Sequence, residues 1–138
     1  MLNKNDIVEL TVTDMTFEGL GVAKYTNEDL LDFVVFIHNA VIGDVADCKI
    51  VKVLKNHAFA IIDKIIMPSP DRVHSLCPSF SKCGGCTYQN INYETELKYK
   101  KNCIIHAFKC NYPDYDCEIT DVVPSPVING YRNKVQYP

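Results

Sequence analysis

The chain has 138 residues, 47% of them hydrophobic and 22% charged, and a net charge of -3 at pH 7. This is an ordinary globular composition, sized for one domain or one small domain with attachments. The acidic balance excludes a bulk electrostatic pull toward nucleic acid, so binding to a polyanion would have to use one local basic face.

Residues 1–66 read as all-β. Val8, Leu10 and Val12 alternate with Glu9, Thr11 and Thr13, the period of a half-buried strand. Gly19 and Gly21 interrupt the next segment, a short strand follows from Val22 to Tyr25, and Asn27-Glu28-Asp29 forms a loop. A Phe- and Val-rich strand spans Leu31 to His38, and Ile42-Gly43-Asp44 makes a turn. Two more strands, Val45 to Leu54 and Ala58 to Ile66, flank a tight turn at Asn56-His57. Five strands in about sixty residues predict a small closed barrel of the oligonucleotide-binding type.

Met67-Pro68-Ser69-Pro70 ends the last strand and enforces extended backbone, which divides the chain into domains 1–66 and 67–138. A cysteine loop, Cys77 to Cys86, comes next. One helix is expected from Tyr93 to Phe108, with Tyr93, Leu97, Ile104 and Phe108 on one face. Asn92 suits its N-cap, Glu94 and Glu96 suit the positive end of its dipole, and Pro113 bars continuation. The tail, Cys117 to Pro138, reads as strands broken by Pro124, Pro126 and Gly130. Val135 to Pro138 resembles a strand in progress, which predicts that the chain is a piece of something longer. The expected fold class is mainly β with one helix: a five-stranded barrel, a cysteine loop, a helix and the start of a further β region.

The N-terminus, MLNKNDIVEL, lacks the apolar core of a signal peptide. No apolar run approaches the ~20 residues of a membrane span. A cytoplasmic protein without a membrane partner is expected, and no protein partner is inferable. Seven cysteines, odd in number and unevenly spaced, suit metal binding in a reducing compartment better than a disulfide framework.

Three of the seven form the pattern C-x5-C-x2-C at Cys77, Cys83 and Cys86, with Gly84 and Gly85 filling the last gap. The C-x2-C pair lets two thiolates reach one metal across a tight turn, and the glycines let amide groups approach the sulfurs. Phe80 is placed to shield such a site from water. Structural zinc commonly uses two C-x2-C-like pairs, and only one is present. Three close ligands plus a distant fourth favour a four-iron cluster over zinc. Cys110 and Cys117 are conceivable fourth ligands, although a small buried hydrophobe is the simpler role for each.

Four stretches together resemble bacterial RNA (uracil-5)-methyltransferases, the family that modifies uridines of 23S rRNA. Cys-Pro-Ser-Phe-Ser-Lys-Cys-Gly-Gly-Cys-Thr-Tyr-Gln at 77–89 is similar to the family's iron–sulfur motif. Met-Pro-Ser-Pro-Asp-Arg-Val at 67–73 is similar to its linker, and Phe-Glu-Gly-Leu-Gly-Val-Ala at 17–23 to the glycine turn of a TRAM domain. Gly-Tyr-Arg-Asn-Lys at 130–134 resembles the start of its central β region. The resemblance implies an RNA-binding TRAM barrel, a [4Fe–4S] cluster held by Cys77, Cys83 and Cys86, and an S-adenosylmethionine-binding catalytic domain. The fourth cluster ligand then lies beyond residue 138, and so do the cysteine nucleophile and general base. In that chemistry a thiolate adds to C6 of a flipped-out uracil, C5 takes the methyl group, and a base removes the C5 proton. No catalytic residue is assigned to this chain, which by itself is expected to be inactive.

RNA, expected to be ribosomal, would meet the barrel through basic and aromatic side chains. The candidates are Phe17, Lys24, Lys52, Lys55, Lys82, Arg132 and Lys134. Two other readings remain in view. One is a stand-alone, non-enzymatic RNA-binding barrel with a zinc-stabilised cysteine knuckle. The other is a small electron-transfer protein, which lacks the closely spaced ligand run of ferredoxins.

Overall fold

A computed structural model describes residues 2–131 and 133. Five strands close into a barrel: β1 (Ile7–Met15), β2 (Gly21–Tyr25), β3 (Phe33–His38), β4 (Val45–Val53) and β5 (His57–Met67). Their order around the barrel is β1-β2-β3-β5-β4. The β3–β5 pair is parallel and the others are antiparallel. The expected five-stranded barrel is therefore present.

The alternation seen in the sequence sets the interior. Leu10, Val12, Val35, Ile37, Cys48 and Ile50 point inward and are buried. Ala23, Ala46, Ala58 and Ala60 fill the remaining inward positions. Small side chains at these positions let five strands close around a narrow core without overpacking. β3 begins at Phe33, two residues after the expected Leu31. Asp32 takes a left-handed φ of 53°, and the Asn27 side chain accepts N–H bonds from Asp29 and Leu30 at 3.0 and 2.8 Å. The loop thus closes on its own asparagine before the ladder starts.

Two compact units divide the chain, Met1–Asn92 and Tyr93–Pro138. The first runs on past the proline-marked boundary and includes the linker, the cysteine loop and a single helical turn, α1 (Phe80–Cys83).

The second unit is built on α2 (Tyr93–Asn111), three residues longer than expected and ending before Pro113. Glu94 and Glu96 lie in its first turn and Lys109 in its last, matching the dipole. Of the expected apolar face, Tyr93, Leu97 and Phe108 are half-buried while Ile104 is 43% exposed. No helix of the described residues is long and apolar enough to cross a membrane.

The expected strands after Cys117 are not found among the described residues, which run irregularly. The segment is tied to α2 by Lys101 Nζ to Asp121 at 2.7 Å and by the Ser125 N–H donating to Tyr93 Oη at 2.9 Å. Pro124 and Pro126 each remove a ladder donor, and no described strand of this unit offers an edge to pair with. Residues 135–138 lie outside the described residues.

Candidate RNA interface and cysteine centre

Asp44, at the end of the turn before β4, has a fully buried side chain. Its carboxylate accepts the Val41 N–H at 2.7 Å, the Ser69 N–H at 2.9 Å, and the Arg72 guanidinium through Nε at 3.0 Å and Nη2 at 2.5 Å. Burial works to raise the Asp44 pKa. The Arg72 guanidinium and the Ser69 and Val41 amides outweigh it and hold the carboxyl below its ordinary value. Arg72 Nη2 also donates to Asn39 O at 2.9 Å, and Asn90 Nδ2 donates to the same carbonyl at 2.8 Å.

These bonds fasten both stems of the cysteine loop to the barrel. Arg72 and Ile91 form an antiparallel bridge. The Val73 N–H donates to Asn90 O and the Asn92 N–H to Asp71 O, each at 2.9 Å. The chain therefore leaves the barrel beside Asp44, makes its cysteine excursion, and returns to the same place.

A second junction lies at the glycine turn. Gly19 sits at φ +80°, and a Cβ there would overlap the Thr87 methyl and come within 3.1 Å of the Tyr88 ring. Only glycine combines that φ with such close approach. Tyr88 Oη also donates to Phe17 O at 3.4 Å. Thus Phe-Glu-Gly-Leu-Gly at 17–21 and Cys-Thr-Tyr-Gln at 86–89, far apart in sequence, meet in the fold.

Within the loop, Ser75 Oγ accepts the Cys77 N–H at 3.1 Å and hydrogen-bonds Gln89 Oε1 at 2.7 Å, which ties Cys77 to the stem. The Cys83 N–H donates to Ser79 O at 2.8 Å to close α1, and Gly84 ends that turn at φ 68°. Cys77 is half-buried, and Cys83 and Cys86 are exposed. None of the seven cysteines is in a disulfide. Among the described residues no three metal-ligating side chains converge on one point. The loop nonetheless supplies three soft sulfur donors, none committed to a disulfide, on a glycine-jointed segment between fixed stems. This donor set fits a thiolate-ligated centre and leaves one position for a donor from elsewhere.

The remaining cysteines divide by environment. Cys48 is inside the barrel, and desolvation first, then Asp47 and Asp44, push its thiol up to about 11. Cys103 is half-buried. Cys110 and Cys117 are exposed rather than buried as expected, because one falls on the solvent side of the last helical turns and the other in the irregular tail. Cys110 Sγ lies 3.5 Å from His106 Nε2, one helical turn away.

Among the described residues, the expected RNA contacts lie on several elements of the first unit. Phe17 projects from the glycine turn and is 79% exposed. Lys24, Lys52, Lys55 and Lys82 are all exposed. Lys24 stands 3.5 Å from Asp32. Lys52 is on β4, Lys55 in the β4–β5 turn, and Lys82 in α1. Arg132 and Lys134 lie outside the described residues. Sequence reasoning missed the roles of Asp44 and Arg72. The first was seen only as a turn residue and the second only as part of a linker.

The TRAM domain family matches residues 2–62. Nearly the whole chain is similar to proteins described as uncharacterized RNA methyltransferases. The relative from Halalkalibacterium halodurans is 37% identical over 142 residues, covering 99% of this chain and 29% of the relative. Those from Lactobacillus johnsonii and Listeria innocua are 36% and 37% identical over 138 residues, each with 29% of the relative covered. The chain thus carries a TRAM match over residues 2–62 and is similar, along nearly its whole length, to part of these RNA methyltransferases. It spans less than a third of the length of these relatives. The TRAM match ends at Ile62, inside β5, whereas the residues that fasten the cysteine loop to the TRAM barrel, Ser69 and Arg72, come after it.

Proposed function

We propose that this chain is the N-terminal RNA-binding and cluster-binding part of a cytoplasmic, S-adenosylmethionine-dependent RNA (uracil-5)-methyltransferase that forms 5-methyluridine in ribosomal RNA. The observation that carries this reading is the fastening of the cysteine loop to the TRAM barrel at two places, Asp44–Arg72 and Gly19–Thr87. An RNA held by the barrel is thereby held at a fixed reach from Cys77, Cys83 and Cys86.

In this reading those three thiolates hold a [4Fe–4S] cluster, with the fourth ligand from another part of the whole protein. S-adenosylmethionine, bound by the remainder of the protein, supplies the methyl group. The residues of this chain bind and orient RNA, and none is assigned to bond making.

The test compares the whole protein with residues 1–138, both purified without oxygen. The whole protein is expected to carry four irons and to methylate uridine C5 in ribosomal RNA from a strain lacking the gene. Cys83→Ser should lose iron. One zinc per chain in both forms, without 5-methyluridine, would favour an RNA-binding barrel with a zinc knuckle.

A further inference from the structure

The outer face of the barrel carries a feature that the proposed cysteine centre does not use. Val35 and Ile37 of β3 and Ala58 and Ala60 of β5 point inward, so Phe36, His57 and Phe59 point outward, where each is half-buried. Their rings form one cluster. The Phe36–Phe59 centroids are 5.6 Å apart, Phe36–His57 5.4 Å and His57–Phe59 5.3 Å. The imidazole lies at 73° and 78° to the two phenyl rings, so neither phenyl face is spent on a parallel stack with it.

The strand register surrounds this cluster with cations. Lys52 of β4 is opposite Phe59, and Lys49 is opposite Ile61, the next outward residue of β5. Lys55 lies in the turn just before His57. On the other side, Lys24 of β2 is opposite Val34, which is itself opposite His57. Among the described residues, Lys49, Lys52 and Lys55 form no ion pair, and of these four lysines only Lys24 has an ion-pair partner, Asp32. The outward carboxylates Glu9 and Asp47 pair in register farther along the barrel, beyond Lys49. A chain of net charge -3 thus places several lysines around the outward aromatic cluster of its barrel.

We infer that Phe36, His57 and Phe59, flanked by Lys49, Lys52, Lys55 and Lys24, form a stacking platform for single-stranded RNA across β3 and β5 of the barrel. Aromatic faces stack on bases whatever their identity, and lysines alongside follow the phosphates. A protein partner would be served by the apolar rings but has no need of lysines on both sides of them, three of which form no ion pair among the described residues. The inference rests on the reading that the chain binds RNA, and it says where and in what form.

The test uses the 138-residue chain and a fluorescein-labelled twelve-residue oligouridylate, with anisotropy read at several salt concentrations. The double substitution Phe36→Leu/Phe59→Leu keeps apolar volume and removes the π-faces. It should weaken binding about tenfold or more and leave the salt dependence unchanged. Lys52→Gln should instead reduce the slope of log K against log salt by about 0.7. NMR shift mapping on the unsubstituted chain gives a readout that needs no variant, with the largest shifts expected at Phe36, His57 and Phe59. If the chain binds the oligonucleotide but the double variant binds equally well, or the shifts cluster elsewhere, the platform is overturned and the RNA reading stands. If the unsubstituted chain does not bind, the RNA reading of this chain fails first and the platform with it.

Discussion

Arg72 closes on Asp44 across the end of the barrel, with Nη2 2.5 Å from Oδ2 and Nε 3.0 Å from Oδ1. One partner comes from the turn before β4 and the other from the linker after β5. The bond therefore joins the barrel to the segment that carries the cysteines. The Asp44 side chain is fully buried and that of Arg72 is 17% exposed. Removing one member of such a pair leaves a buried charge without compensation.

Arg72→Met should accordingly lower stability by about 3 kcal/mol, read from the urea midpoint. The double variant Asp44→Asn/Arg72→Met should recover part of that loss, because no uncompensated charge remains. Equal stability of the Arg72→Met variant and the parent would show that water reaches Asp44.

The same carboxyl predicts an acid limb. Its pKa is held below the ordinary 3.8, so between the two values the unfolded chain binds more protons than the folded one. Stability from Asp44 is then fully present above about pH 4 and drains away as pH falls through the lowered folded value. Urea unfolding between pH 2 and 6 should show this limb, and Asp44→Asn should flatten it.

Gly19→Ala should destabilise the first unit by about 1–3 kcal/mol from the left-handed backbone alone. Overlap with the Thr87 methyl adds to that cost. Thr87→Ala in the same chain should relieve the overlap but not the backbone strain, so thermal melting should show partial rescue. Full rescue would mean that the φ of +80° relaxes freely.

Thiol labelling should separate the cysteines. Cys83, Cys86, Cys110 and Cys117 are exposed and should react within minutes at pH 8, as mapped by mass spectrometry. Cys48, buried with its thiol pushed up to about 11, should stay unlabelled until the barrel unfolds. Reconstitution with iron and sulfide in the whole protein should protect Cys77, Cys83 and Cys86 while leaving Cys110 reactive.

Most of the barrel was legible because its signal is local. The alternation around Leu10 and Val12, or around Val35 and Ile37, states which face is buried before any partner strand is known. The helix was legible from its acidic start and from Pro113 beyond its end. The Asp44–Arg72 bond was not, because its two halves lie in segments read separately as a turn and a linker. The same holds for Gly19, whose need for glycine depends on Thr87 and Tyr88. Phe36 and Phe59 were within reach of sequence reasoning, since alternation places them opposite the core. Their neighbourhood with Lys52 required the register of β4 against β5. The tail misled because Val and Ile favour strands in general, and propensity carries no information on whether an edge is available.

The position of Arg72 also fixes what can be moved as a piece. A barrel excised at the end of the matched domain, at Ile62, would keep Asp44 buried and lose Ser69 and Arg72, two of the groups that neutralise or solvate it. The portable module is therefore residues 2–92, cysteine loop included. A transplant or a duplication of the barrel that stopped short of Arg72 would carry an interior anion with no counterion into its new host.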